Sequence, residues 1–322
     1  MIDVRWFASN AYTSLVVPEL RRLGLAIDQE TTGPARLALA MSGTAAERAW
    51  QYARRWRCPL VLYIWDLPPK ATGIGSYDPV WSIGNYLLRV PKLKGGYGRR
   101  RGYYSRLRYI AAHALQVWVP STFSQDLVRS GYGLESRRVP YCYDSARFRP
   151  ADVARPEPPV LLTVSRLRAH KNQASTIRAA SRSRTEVQVR LIGRGAEQAS
   201  LERLAGTLNV HCRIETEATD DEVRDAYRAA RVVVCPSSFE GFGLTPIEAV
   251  ACGTPVVASD IPPHREFVGD AVRLYPSGDE DALVESISRA LHDAPADPGL
   301  VRELTIPAAA QRFMSHLHPL LQ

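Results

Sequence analysis

The chain has 322 residues, 45% hydrophobic and 23% charged, the composition of an ordinary globular protein long enough for two cores of about 150 residues each. No run of about 18 apolar residues is present to span a membrane, the opening MIDVRWFASN lacks the build of a signal peptide, and five cysteines without a CxxC pair suggest neither a disulfide framework nor a zinc cluster, so the expected location is cytoplasmic. The formal charge of +8 is unevenly placed: residues 1–152 carry 22 Lys and Arg against 11 Asp and Glu, and residues 153–322 carry 19 against 22.

In chain order, Asp3 to Phe7 reads as a strand, Leu15 to Leu23 as a helix closed by Gly24, and Leu37 to Ala40 as a second strand. A helix from Thr44 to Trp56 follows, then a buried third strand from Leu60 to Ile64 that ends at Asp66. This alternation implies a parallel sheet with ligands at the carboxyl ends of its strands. From Ala71 to Gly102 the pattern breaks into Gly, Pro, Tyr, Trp and basic residues. A helix near Tyr103 to Ala114, a strand at Gln116 to Val119, a helix at Thr122 to Arg129 and a strand near Arg138 to Tyr141 complete a first domain, expected over 1–152. Pro150 to Pro159, with four prolines, reads as a linker.

The second domain, expected over 153–322, restarts with a strand at Val160 to Val164, followed by Arg166 and Lys171 and a helix through Ala180. Strands at Val187 to Ile192 and Val210 to Ile214 alternate with helices at Glu197 to Ala205 and Asp221 to Ala230. After a short strand at Val272 to Tyr275, an amphipathic helix spans Asp281 to Leu291, and the tail from Pro307 reads as a last helix able to pack back on the N-terminal domain. Two parallel α/β domains in tandem are expected to bind ligands in the cleft between them.

The densest chemistry lies in VVVCPSSFEGFGLTPIEAVACGTPVVASD, from Val232 to Asp260. A β-branched run reads as a buried strand, a loop with Gly241 and Gly243 follows, and Thr245-Pro246-Ile247-Glu248 has the form of a helix start, with Thr as N-cap and Glu as its reciprocal partner. Such a strand, loop and helix N-terminus make a seat for a phosphate. Glu248 reads equally as a capping acid or as a ligand contact, and Glu240 as a loop acid or a site residue. Arg166 and Lys171 fall on the same sheet edge, and two cations facing that seat suit a diphosphate.

The segments VSRLRAHKN (164–172) and FEGFGLTPIEAVACGTPVVASD (239–260) resemble the retaining glycosyltransferases of family 4, which have the GT-B fold of two Rossmann-like α/β domains facing a cleft. Weaker likeness extends over roughly 116–291. The resemblance implies that Arg166 and Lys171 hold a donor diphosphate and Glu240 contacts the transferred sugar. It also implies that the turn Gly241, Phe242, Gly243, Leu244 and Thr245 approaches sugar and phosphates, and that Glu248 holds the nucleotide ribose. The implied activity is metal-independent, cofactor-free transfer of a hexose from a UDP- or GDP-sugar to a glycan or lipid-linked acceptor, with retention. A GT-B disaccharide phosphorylase and a catalytically degenerate nucleotide-sugar-binding module stand as alternatives. Asp66 is a candidate contact from the N-terminal domain, although many members carry His-Asp where this chain has Trp65-Asp66.

Two further features are weighed against simpler readings. Asp279-Glu280-Asp281 looks like a metal-binding DxD but precedes an amphipathic helix, where an N-cap and first-turn acids belong, so no metal site is expected. The basic, aromatic stretch 81–109 reads as a solvated face, as a patch for an anionic membrane surface at the inner face, or as a dock for an anionic acceptor; no nucleic-acid motif accompanies it.

Overall fold

The structure is a computed structural model and describes residues 2–8, 11–29, 33–65 and 106–322. The chain divides into two compact units, residues 1–142 with 306–322 and residues 143–305. The expected boundary at 152/153 therefore lies inside the second unit. The reason is packing: Phe148 is buried with its ring 5.9 Å from Tyr227, Arg228 donates to the Arg149 carbonyl at 2.9 Å, and the Tyr143 N–H donates to Leu304 O at 2.9 Å. The stretch leading into the proline run is thus a cover on the second unit.

In the first unit, strands β1 (Ile2–Phe7), β2 (Ile27–Asp28), β3 (Ala35–Ala40), β4 (Leu60–Tyr63), β5 (Gln116–Val119) and β6 (Arg137–Arg138) form one parallel sheet in the order β2-β1-β3-β4-β5-β6. Helices α1 (Ala11–Arg22), α2 (Gly43–Trp56), α3 (residues 106–113) and α4 (Thr122–Tyr132) connect it. The short β2 carries no apolar run and is not foreseen from the sequence; it is held because buried Arg5 of β1 pairs with Asp28 at 2.5 Å. The C-terminal helix 306–317 belongs to this unit, its buried Phe313 ring stacked on Tyr63 at 6.1 Å and edge-on to Trp118 at 5.5 Å.

The second unit holds β7 (Val160–Val164), β8 (Gln188–Ile192), β9 (Cys212–Glu215), β10 (Val232–Cys235), β11 (Val256–Ser259) and β12 (Arg273–Tyr275), all parallel, in the order β12-β11-β10-β7-β8-β9. Between them run α5 (Gln173–Ser181), α6 (Gln198–Thr207), α7 (Asp220–Ala229), α8 (Leu244–Ala251), α9 (Pro262–Val268) and α10 (Glu280–Ala290). The central strands are buried apart from the last residue of β7, as the largely apolar runs of β7, β10 and β11 require. Chain order reverses between β7 and β10, the topological switch point at which open α/β sheets bind ligands beyond the strand carboxyl ends. Asp279 caps α10 through Ala282 N at 2.9 Å, Glu280 pairs with Arg178 at 3.0 Å and Asp281 pairs with Arg182, so that acidic triplet is a helix start.

Candidate donor site at the switch point

Beyond β7 the chain turns sharply through Ser165, Arg166 and Leu167, and that turn is clamped from two sides. Leu167 N–H donates to Arg194 O at 2.8 Å, and buried Gln173 at the start of α5 donates to Ser165 Oγ at 2.8 Å and Arg166 O at 2.9 Å. Gly193 and Gly195 are required by contact: a Cβ would fall 1.9 Å from Ser165 O at the first and 2.0 Å from Leu167 O at the second. The result is a rigid backbone under Arg166, whose side chain is exposed and makes no ion pair among the described residues.

Lys171 ends a single 3-10 turn, 169–171, and Asn172 in a left-handed conformation (φ 52°) starts α5. Lys171 Nζ donates to Glu240 Oε1 at 2.5 Å, with 14% and 18% of the two side chains exposed. The Glu240 loop is tied to the same turn through Ser238 N–H to His170 O at 2.8 Å. Burial pushes the Glu240 carboxyl up, but the Lys171 charge and hydrogen bond, with a bond from Ser237, outweigh it and hold the carboxyl below its usual range. His170 is pushed down, first by burial and then by the Lys171 charge.

The loop then enters α8 at Gly243, in a left-handed conformation (φ 91°). Here the structure corrects the capping box read at Thr245 and Glu248. Helix α8 begins two residues earlier, Gly243 is its N-cap, and no side chain caps it. Thr245 instead donates to the Val164 carbonyl at 2.9 Å, because the ladder between β10 and β7 ends at Leu162 and leaves that backbone group to find another partner. Helix α5 likewise lacks a side-chain cap, so two helix N-termini without side-chain caps flank the crevice. Phe242 is buried with its ring 4.3 Å from Phe267, whereas Leu244 is 39% exposed.

Glu248, one turn into α8, has a different environment. Fully buried Tyr227 donates its hydroxyl to Glu248 Oε2 at 3.1 Å, and Asp144, Arg147 and Asp220 supply the nearby charges. The side chain is half-buried, yet enough protein surrounds it that burial pushes the carboxyl up to about 8, against the smaller lowering effect of Tyr227.

A small cavity of about 10 Å³ lies under these groups, between residues 163–165 and 234–237 with Glu240, Thr245 and Pro246. Larger depressions of about 330 and 290 Å³ lie elsewhere, around residues 270–273 and 293–296 at the strand amino ends and beside α10. Of the charges lining them, Arg273 pairs with Asp293 and Arg289 with Glu285, and neither depression lies at the switch point, so the chemistry, rather than the volume, locates the site.

The structure thus brings together Arg166, Lys171, Glu240 and the turn Gly241 to Thr245, with Glu248 one helical turn further on. Asp66 and most of the basic stretch 81–109 lie outside the described residues. Of that stretch, Arg106 is paired with Glu47 at 2.7 Å and Arg108 donates to Tyr132 O at 3.1 Å. Trp65 packs on Tyr63 and Tyr141, with ring centroids 5.7 and 5.0 Å away. Sequence reading missed four supports: Gln173, the Gly193/Gly195 pair, Tyr227 and His264. The Gly-Arg-Gly spacing after a strand was the one available signal.

Two parallel-sheet Rossmann-like units, the second with cations and helix starts at its switch point, have the GT-B fold. Residues 144–303 match the Glycosyl transferases group 1 family. It is 41% identical over 127 residues to a D-inositol 3-phosphate glycosyltransferase of Streptomyces bingchenggensis, a match covering 37% of this chain and 26% of that protein. It is 27% identical over 309 residues to the alpha-maltose-1-phosphate synthase of Mycobacterium tuberculosis, covering 86% and 77%. Among solved structures, a sucrose-phosphate synthase of Thermosynechococcus elongatus aligns with a TM-score of 0.63 at 22% identity, over 89% of this chain and 71% of that one. The HepE protein of Anabaena, in complex with UDP and glucose, aligns with a TM-score of 0.63 at 18% identity, over 99% and 89%.

Proposed function

We propose that this chain moves a hexose from a UDP- or GDP-sugar onto a glycan or lipid-linked acceptor, with retention and without a metal or other cofactor. The observation that carries the reading is the Lys171–Glu240 pair, 2.5 Å apart at the switch point, beside an exposed Arg166 and the uncapped start of α8. Its relatives are named for transfer to inositol phosphate and to phosphatidyl-myo-inositol, and neighbours were solved with UDP and UDP-glucose, which supports both halves of the proposal.

In the proposed step the bond from the anomeric carbon to the β-phosphate oxygen breaks, and the acceptor oxygen bonds to that carbon from the same face. The acceptor proton passes to the leaving phosphate. Negative charge grows on that phosphate, where Arg166, Lys171 and the α8 N–H groups stabilise it. Lys171 has three donors and keeps two beyond the one given to Glu240. Glu240, held ionised, is an acceptor for sugar hydroxyls and not a proton donor. Arg166→Ala is expected to lower kcat/KM by about a hundredfold with folding intact; a near-wild-type rate removes this mechanism. Chelator should leave the rate unchanged, and free phosphate should not replace the nucleotide.

No helix among the described residues is long and apolar enough to cross a membrane. The same proposal places the enzyme in the cytoplasm, with stretch 81–109 meeting an anionic surface at the inner face. Sedimentation with vesicles rich in anionic lipid, against neutral ones, tests that part.

A further inference from the structure

His264, on α9, is 1% exposed and lies directly behind the turn that enters α8. Its Nδ1 is 2.8 Å from the Ser259 carbonyl oxygen. A carbonyl can only accept, so Nδ1 carries hydrogen, and in the neutral ring Nε2 is a bare lone pair. That Nε2 is buried and without a hydrogen-bond partner. It is aimed at Gly243: a Cβ built there would meet His264 Cδ2 at 3.1 Å and Nε2 at 3.4 Å. The ring edge therefore backs onto the N-cap of α8, at the seat argued above for a phosphate.

Ser259 is itself fixed, its hydroxyl donating to Ser237 O at 2.5 Å in the strand-to-loop turn that leads to Glu240. The charges facing the ring are Lys171, which opposes a proton, and Glu240 and Asp260, which favour one; Asp260 is already paired with Arg265. Burial is the largest influence and, with Lys171, keeps the free ring below its ordinary titration range against the Ser259 hydrogen bond, Glu240 and Asp260. An anionic ligand at the α8 N-terminus adds the negative charge that this balance lacks.

We propose that His264 takes up a proton from solvent at Nε2 when a nucleoside diphosphate binds, and that the imidazolium so formed supports the ligand's charge from behind Gly243. The inference rests on the donor-site reading and adds a proton to it. A buried, orphaned ring nitrogen behind the phosphate seat then has a function, and diphosphate release returns the proton.

Calorimetry with UDP and with GDP, in buffers of different ionisation enthalpy, counts protons taken up by the wild type and by His264→Asn. Asparagine keeps a donor in the place of Nδ1 and removes Nε2. The wild type should take up more protons than the variant, approaching one per site, and bind about tenfold more tightly near pH 6.5, with the gap closing above pH 8. Glu248 and the ligand's own phosphate titrate alike in both proteins, so the difference isolates His264. Ring-nitrogen NMR of labelled wild-type protein provides a second readout that needs no variant: Nε2 should change from bare to protonated on addition of UDP. Equal proton counts and affinities, or an Nε2 that stays bare in the complex, overturn the inference alone. Failure of the wild type to bind either nucleotide overturns the donor reading and this inference with it.

Discussion

The surroundings of Glu240 and of Glu248 differ more than their shared loop and helix suggest. Both carboxyls leave the same short segment and both are shielded from water, yet Lys171 holds the first ionised while the second, facing a tyrosine hydroxyl, is pushed up to about 8. Burial penalises both; a cation at 2.5 Å reverses the outcome for one. Two titratable groups driven apart in this way are suited to different tasks, a fixed acceptor and a group whose charge changes on binding.

The comparison breaks most severely if the cation is removed. Lys171→Met should cost about 3 kcal/mol at pH 7, because Glu240 is left buried without its cation, and Glu240→Gln in the same chain should restore most of it; thermal melts of the single and double variants measure both. The pH dependence has a definite sign. A carboxyl held low in the folded state contributes stability above its unfolded value that is lost as pH falls through the depressed folded value, and Lys171→Met should invert that dependence, because burial then raises the carboxyl instead.

Glu248 has the opposite sign. Its carboxyl keeps a proton in the folded protein that the unfolded chain has released, so wild-type stability should fall as pH rises from the ordinary carboxylate range to about 8, by about 1.4 kcal/mol per unit at most. Glu248→Gln should be flat over that window when denaturant midpoints are compared, and should bind nucleotide more weakly above it. A pH-independent difference between the two proteins would rule out the raised carboxyl. The smallest effect is expected from Tyr227→Phe. It removes one hydrogen bond, costing about 1 kcal/mol, and should move the Glu248 transition further upward, because the hydroxyl stabilises the ionised form.

Much of this molecule is written locally. The short apolar runs at 160–164, 232–235 and 256–259 read as covered strands, and strands appear there. Arg166, Lys171, Glu240 and Glu248 could be placed at one sheet edge because each pair follows a strand that leads into a helix, a relation carried by adjacent residues. What failed were readings that asked a side chain to choose its partner. Thr245 has the form of an N-cap, but a carbonyl at the end of β7, 81 positions earlier, claims it. The proline run has the form of a linker, but Phe148 and Arg149 just before it dock on α7.

The sequence by itself determined the alternation of strands and helices, the family signature and the residue types at the sheet edge, since each depends on periodicity and spacing along the chain. Only the tertiary structure decided that Lys171 holds Glu240, that Tyr227 faces Glu248 and that His264 lies behind Gly243. Those partners come from different strands and helices, and ionisation depends on the neighbours and dielectric that packing supplies.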